Sequence, residues 1–396
     1  MSKLEELIQQ YCPDGVEYKK IKEVYQRIKG TPITAGKMKE IQCPTGEIRI
    51  FAGGKTVIDA NETDIPNANI TRVPAVLVQS RGVIDAIYYD KPFTFKNEMW
   101  AYTHKEQTSV KFLYYVMKQN IQHFRDAASG MGALPQISLG TTEDFVIPIP
   151  PLPVQEEIVR ILDNFAELQA ELQAELQKRL QQYNYYRDNL LSFEGRTDIE
   201  WKKLGEIATD WYRGAGIKRD EVSEEGIPCI RYGEIHTTYN IWFDECLSHT
   251  DENKQPSKKY ADYGDILFAI TSEDIPFIGN SVAYIGKERI LVGGDIVVMK
   301  HNQNPKYLSY VLSTSDAVKQ KGKGKVKSKV VHTSVPSLKE IVVPIPSLEE
   351  QEKIVSILDR FYTLTTDITA GLPAEIEARR KQYEYYRDRL LTFQRK

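Results

Sequence analysis

The sequence predicts an α+β chain of two similar globular domains, separated and followed by long helices. Three observations carry this. Residues 146–165, VIPIPPLPVQEEIVRILDNF, recur as 342–361, VVPIPSLEEQEKIVSILDRF, at an offset of 196. Residues 182–193, QYNYYRDNLLSF, recur as 382–393, QYEYYRDRLLTF, at an offset of 200, and VEYKKIKEV at 16–24 weakly matches IEWKKLGEI at 199–207. Between the two strong blocks, apolar residues fall every 3 or 4 positions, with one gap in the second copy, as on one face of a helix. The plan is therefore a globular segment (1–150), a helical segment (151–193), a second globular segment (194–346) and a second helical segment (347–396).

The first globular segment has strand-like runs at 47–52 (EIRIFA), 74–80 (PAVLVQS) and 86–90 (AIYYD), then a helix at 109–124. The second has runs at 228–233, 264–270, 281–286 and 295–300, then a shorter helix at 305–318. Both read as strands, one helix, a loop and a final β-like run, an order that suggests homologous α+β domains.

The first helical segment opens after Pro151 and Pro153. Its stripe runs Ile158, Ile161, Phe165, Leu168, Leu172, Leu176, Leu180, Tyr183, Tyr186, Leu190. The second runs Ile354, Ile357, Phe361, Leu364, Ile368, Leu372, Ile376, Tyr383, Tyr386, Leu390, with Arg379 and Arg380 in a gap. A 40-residue helix extends about 60 Å at about 1.5 Å per residue. Two such stripes most simply cover each other as a coiled pair. The alternative is that each packs on its own globular segment. LQAELQAE at 168–175 is a tandem tetrapeptide of good helix formers. Gly371-Leu372-Pro373 predicts a kink or short break near 371, with a new turn starting at Pro373.

The loop after each short helix is the most informative stretch. KQKGKGKVKSK at 319–329 places Lys319, Lys321, Lys323, Lys325, Lys327 and Lys329 at every second position. If extended, all six point one way. That suits a nucleic-acid backbone, which carries one negative charge per about 1.7 Å of duplex, although a solvated basic loop has the same composition. Replacing all six with Gln is expected to weaken binding to every sequence and flatten its salt dependence. The counterpart at 125–138, RDAASGMGALPQIS, has little charge, so reading there falls to Arg125, Ser129, Gln136 and backbone groups at the glycines. Arg49, Arg81 and Arg231 complete the DNA-contact candidates.

Composition narrows the classes. The 396 residues are 41% hydrophobic and 27% charged with net charge −3, so any basic surface must be concentrated on one face. No apolar run is long enough for a membrane span, and the acidic residues of MSKLEELIQQY favour the cytoplasm. Cys12, Cys43, Cys229 and Cys246 make no C-x-x-C pair, which argues against zinc or a disulfide framework. GGKT at 53–56 resembles the end of a phosphate loop, but Arg49 stands where that motif needs glycine. There is no G-x-G-x-x-G and no N-P-P-[FY] or D-P-P-Y run. His104, His123, His236, His249, His301 and His332 lack metal-ligand spacing, and no catalytic residue is assigned.

The two proline-led blocks resemble those of the specificity subunits of type I restriction-modification systems. The residues that carry it are Pro148, Pro150, Leu152, Gln155, Ile158, Leu162 and Asp163, with Pro344, Pro346, Leu348, Gln351, Ile354, Leu358 and Asp359. GDILFAI at 264–270 and SGMGALPQIS at 129–138 are also similar to recurrent pieces of that family. The resemblance implies two target recognition domains, each reading one half of a bipartite site on double-stranded DNA. It implies antiparallel pairing of the helical segments, with the domains in pseudo-twofold relation. It implies two methyltransferase (modification) subunits and restriction/translocase subunits as partners. S-adenosylmethionine, ATP and magnesium would be held by those partners and none by this chain. A coiled-coil scaffold with protein-binding ends, and a fused nuclease with scattered carboxylates, remain alternatives.

Overall fold

The computed structural model describes residues 2–396 apart from 55, 66, 130–133, 256, 324–329 and 367–370. It divides into two compact units, Met1–Gln173 with Glu375–Lys396, and Ala174–Ala374. The cut falls inside the helix Leu152–Leu190. Each unit therefore joins one globular domain to the start of its own helical segment and the end of the other.

In the first unit, Glu17–Lys20 pairs antiparallel with Val146–Ile149, Glu17 facing Ile149. In the second, Glu200–Lys203 pairs with Val342–Ile345 in the same way. The weak and the strong sequence repeats are thus the two strands of one ladder. It closes each domain where its long helix begins. Proline is tolerated at 148 and 344 because each ladder has only two strands, so the missing N–H is not needed by a further neighbour.

Each domain is centred on a strand buried on both faces. Ala75–Gln79 lies inside a four-stranded sheet ordered Gln26–Lys29, Trp100–Thr103, Ala75–Gln79, Asp85–Tyr89. Val76 and Val78 face the helix Gln107–Gln119 and the buried Val154, Ile158 and Leu162. Ala75 and Leu77 face the opposite core of Phe51, Phe93 and Phe95. In the second unit Ile266–Ala269 repeats this, with Ile266 and Phe268 on one side and Leu267 and Ala269 on the other. A strand alternating its side chains between two covered faces reads as a continuous apolar run, as both do.

The helices expected at 109–124 and 305–318 are each two pieces: Gln107–Gln119 with Ile121–Asp126, and Pro305–Leu312 with Ser315–Gly322. Asn120 turns its amide onto the Val116 carbonyl (2.8 Å), and Thr314 caps a new helix by accepting from the Ala317 N–H. Short polar side chains offer the backbone these alternatives to an unbroken helix.

The motif residues of the long helices tie them to their domains. Gln155 donates to the Pro150 carbonyl (2.7 Å) and Gln351 to that of Pro346 (2.9 Å). Asp163 accepts from Tyr115 Oη (2.5 Å) and Lys111 Nζ (2.7 Å), and Asp359 from Tyr310 Oη (2.6 Å) and Lys306 Nζ (2.8 Å). Helix pairing within each unit is aromatic. Phe165 stacks on Tyr386 at 5.5 Å and meets Tyr383; Phe361 stacks on Tyr186 at 5.9 Å while Tyr362 meets Tyr183. In the second unit, one number rises as the other falls, which is antiparallel pairing.

Coverage of the stripe is uneven along its length. Ile158 and Ile354 are buried, Ile161, Leu172, Leu176, Leu372 and Ile376 are half-buried, and Ile357, Phe361 and Leu364 are exposed. The second helical segment is two helices, Leu348–Thr366 and Leu372–Leu390, the latter opening at the predicted Gly371-Leu372-Pro373. Among the described residues, no helix is long and apolar enough to cross a membrane.

Candidate nucleic-acid interface

In the first domain the buried central strand runs out at Ser80-Arg81-Gly82, and a hairpin is fastened to its end. Ser129 and Gln136 exchange both backbone hydrogen bonds (2.9 and 3.1 Å), Ile137 N–H donates to Ser80 O (2.9 Å), and Gly82 N–H donates to Pro135 O (2.8 Å). Those last two bonds flank Arg81 and Gln136, which stand opposite each other. The Arg81 carbonyl accepts from Gly54 N–H (3.1 Å), and Gln79 donates to Gly54 O (2.6 Å). Gly54 and Gly82 both have positive φ, +72° and +80°, and a Cβ on Gly82 would lie 3.5 Å from the Gly54 Cα. Gly54, within the GGKT run, thus supports Arg81. Arg81, Ser129 and Gln136 are exposed; Arg125 is exposed too and donates Nε to Ile84 O (3.2 Å). Four candidates therefore converge on one strand end. Arg49 is engaged elsewhere, by both oxygens of Asp59 (2.8 and 3.0 Å).

The second domain repeats the architecture with different side chains. Thr271 stands opposite His332 and Ser272 opposite Val331; Thr333 N–H donates to Ile270 O (3.0 Å). The Thr271 carbonyl accepts from His236 Nε2 (2.9 Å), and Thr271 Oγ1 lies 3.2 Å from His332 Nδ1. Nothing in the sequence-based reading singled out Thr271, His236 or His332 for DNA, yet a signal was present: His332 lies 196 residues after Gln136, the offset of the strong repeat. Arg231 caps the helix Tyr232–Thr237 through its backbone N–H to Glu234 (2.7 Å), and its buried Nε has no partner among the described residues. It lines a groove of about 740 Å³ with Arg219 and Asp295.

The first lysines of the run do not form the extended row that alternation suggested. Lys319 and Lys321 belong to the helix Ser315–Gly322, whose Thr314 cap, acidic first turn and basic last turn favour continuation. Two residues apart on a helix is roughly 200° of rotation, so the two side chains diverge. Lys319 is exposed; Lys321 is buried, its Nζ donating to Leu312 O (2.9 Å) and Ser281 Oγ (3.2 Å). Lys321 therefore cannot serve a phosphate. Lys323 is exposed, and Lys325, Lys327 and Lys329 lie outside the described residues.

Burial without a carboxylate partner lowers the Lys321 pKa from the ordinary 10.5 to about 7. Between those values the unfolded chain holds a proton that the folded chain does not, so this group makes stability rise with pH. Below pH 7 its penalty is fully present; above 10.5 it vanishes. Lys321→Met is expected to unfold at a higher temperature relative to the parent at pH 6.5 than at pH 10, read from melting curves across that range. A difference independent of pH would show that the ammonium is not desolvated.

The family model described as type I restriction modification DNA specificity domain matches residues 13–182 and 197–378. The specificity subunit of the Escherichia coli type I restriction enzyme EcoR124I/EcoR124II is 34% identical over 300 residues, 72% of each chain. A putative type I restriction enzyme specificity subunit of Haemophilus influenzae is 32% identical over 314 residues, 75% of this chain and 77% of its own. The fold is similar to the crystal structure of the type I restriction-modification S subunit from M. genitalium, with 18% identity, 96% of each chain covered and a TM-score of 0.52. With two matched domains in tandem, each closed by the same strand ladder onto a long helix, this chain belongs to the type I restriction-modification specificity subunits.

Proposed function

We propose that this chain reads DNA sequence for a type I restriction-modification assembly in the cytoplasm and contributes no catalytic chemistry itself. The observation that carries this is the pair of like-built strand ends bearing unlike side chains, Arg81 and Gln136 in one domain and Thr271 and His332 in the other. Two copies of one frame with different heads suit a target of two different halves. The helical segments set the gap between those halves. Two modification subunits dock on the chain and perform adenine methylation with S-adenosylmethionine; restriction/translocase subunits add ATP- and magnesium-dependent cleavage. Phosphate contact in the second domain falls to Lys323, Lys325, Lys327 and Lys329, and Arg125 and Arg231 flank the reading positions.

The test is methylome sequencing of a host carrying this chain with its modification subunit. The expected result is adenine methylation at one split motif with two dissimilar halves. A contiguous motif, two identical halves, or methylation independent of this chain would overturn the proposal.

A further inference from the structure

We infer that the opposed pair at each strand end is the position where a domain distinguishes bases in the major groove, and that Arg81 fixes a guanine with Gln136 on the neighbouring adenine. This rests on the proposal above that the domains face DNA.

The argument begins with rigidity. In each domain the pair is held by a bond to the strand end from the segment paired with it, Ile137 to Ser80 or Thr333 to Ile270, and by a donor onto the carbonyl of the first residue, Gly54 to Arg81 or His236 to Thr271. The donor follows corresponding strands, Ile48–Phe51 and Ile227–Ile230, each of which runs parallel to a neighbour. Two domains with different sequences thus spend matching hydrogen bonds on fixing the same two positions. A reading head needs this, because a side chain on a preset backbone loses less freedom on binding.

Availability comes second. Arg81 and Gln136 are exposed, and neither side chain is engaged in a hydrogen bond or ion pair among the described residues. Neighbouring cations differ: Arg49 is held by Asp59 and Arg27 by Glu143. An arginine fork left open beside an open amide is the donor set that base edges require. Arginine matches O6 and N7 of guanine, and glutamine matches N6 and N7 of adenine.

Spacing comes third. The bonds flanking Arg81 and Gln136 make them a non-hydrogen-bonded antiparallel pair, with side chains on one face and Cα atoms about 4.5 Å apart. That is close to the rise of about 3.4 Å between stacked bases, so the two side chains address adjacent base pairs. In the second domain Thr271 Oγ1 holds His332 Nδ1, which leaves Nε2 of the exposed imidazole as the outward atom. One ring nitrogen cannot form a bidentate pair, so this head reads less stringently. His236, beneath Thr271, is a positioning residue.

The experiment uses the assembled methyltransferase with Arg81→Gln, Gln136→Ala or His332→Ala, measured by methylome sequencing and by titration of motif and unrelated duplexes over a salt series. Arg81→Gln is expected to relax one G·C position in one half of the motif and to weaken motif binding by about 10- to 100-fold. Gln136→Ala should relax the neighbouring A·T position, and His332→Ala should alter only the other half. Affinity for unrelated DNA and its salt slope should not change. Equal weakening on both duplexes would make Arg81 a phosphate contact, and an unchanged motif would take the pair off the bases; either overturns the inference. If the unaltered assembly shows no motif preference, the proposal of DNA reading fails instead. Matching melting curves for parent and variants exclude misfolding.

Discussion

Removing one of the two LQAE copies at 168–175 brings the halves of the methylated motif about two base pairs closer. The tetrapeptides lie within the unbroken helix Leu152–Leu190. Four residues rise about 6 Å, against about 3.4 Å per base pair. The helix tolerates the deletion because Leu168, Leu172, Leu176 and Leu180 recur every four residues. Losing four moves each leucine onto the place of its predecessor, so the apolar stripe stays continuous. Alanine, leucine, glutamine and glutamate are strong helix formers, so no local break follows. Adding a third copy should widen the gap by a similar amount, which separates a ruler from a damaged helix. Methylome sequencing of the three forms provides the measurement. A gap unchanged in both variants would remove the ruler role.

Replacing Lys323, Lys325, Lys327 and Lys329 with Gln lowers affinity for all duplexes, motif and unrelated alike. Each phosphate contact contributes about 0.9 to the slope of log affinity against log salt. Four contacts amount to a loss of roughly a thousandfold near physiological salt, and the slope falls by about 3.6. Lys321→Met provides the control, since a buried ammonium bonded to Leu312 O and Ser281 Oγ releases no counterions from DNA. Titrations at several salt concentrations distinguish the cases. A slope unchanged by the four substitutions would place the run away from DNA, and a slope lowered by Lys321→Met would mean that the residue leaves its pocket on binding.

Much of the frame was legible because it is written twice. The Pro148 and Pro344 blocks become matching closing strands, and Gln155, Asp163 and their copies become matching ties. The candidate site was legible only in part. Arg81, Ser129 and Gln136 do meet, with Arg125 tied to Ile84 nearby, but their convergence depends on a hairpin about fifty residues downstream of the strand it joins. Thr271 and His332 carry no local sequence mark of base contact, because their pairing joins segments about sixty residues apart. Alternation at every second position aligns side chains only in a strand, and Lys319 and Lys321 stand instead in the helix that Thr314 caps.

The sequence by itself determined the number of domains, the two helical segments, the break at Gly371-Leu372-Pro373 and the family. These rest on periodicity, repetition and backbone chemistry, which act over a few residues and survive being read in one dimension. Only the tertiary structure decided that Arg81 and Gln136 stand opposed with open side chains while Thr271 holds His332, which lysine is buried, and that each compact unit combines one domain with parts of both helical segments. Those depend on contacts between residues far apart in the chain. A hydrogen bond from Gly54 to Arg81, or from His236 to Thr271, leaves no local mark in the sequence.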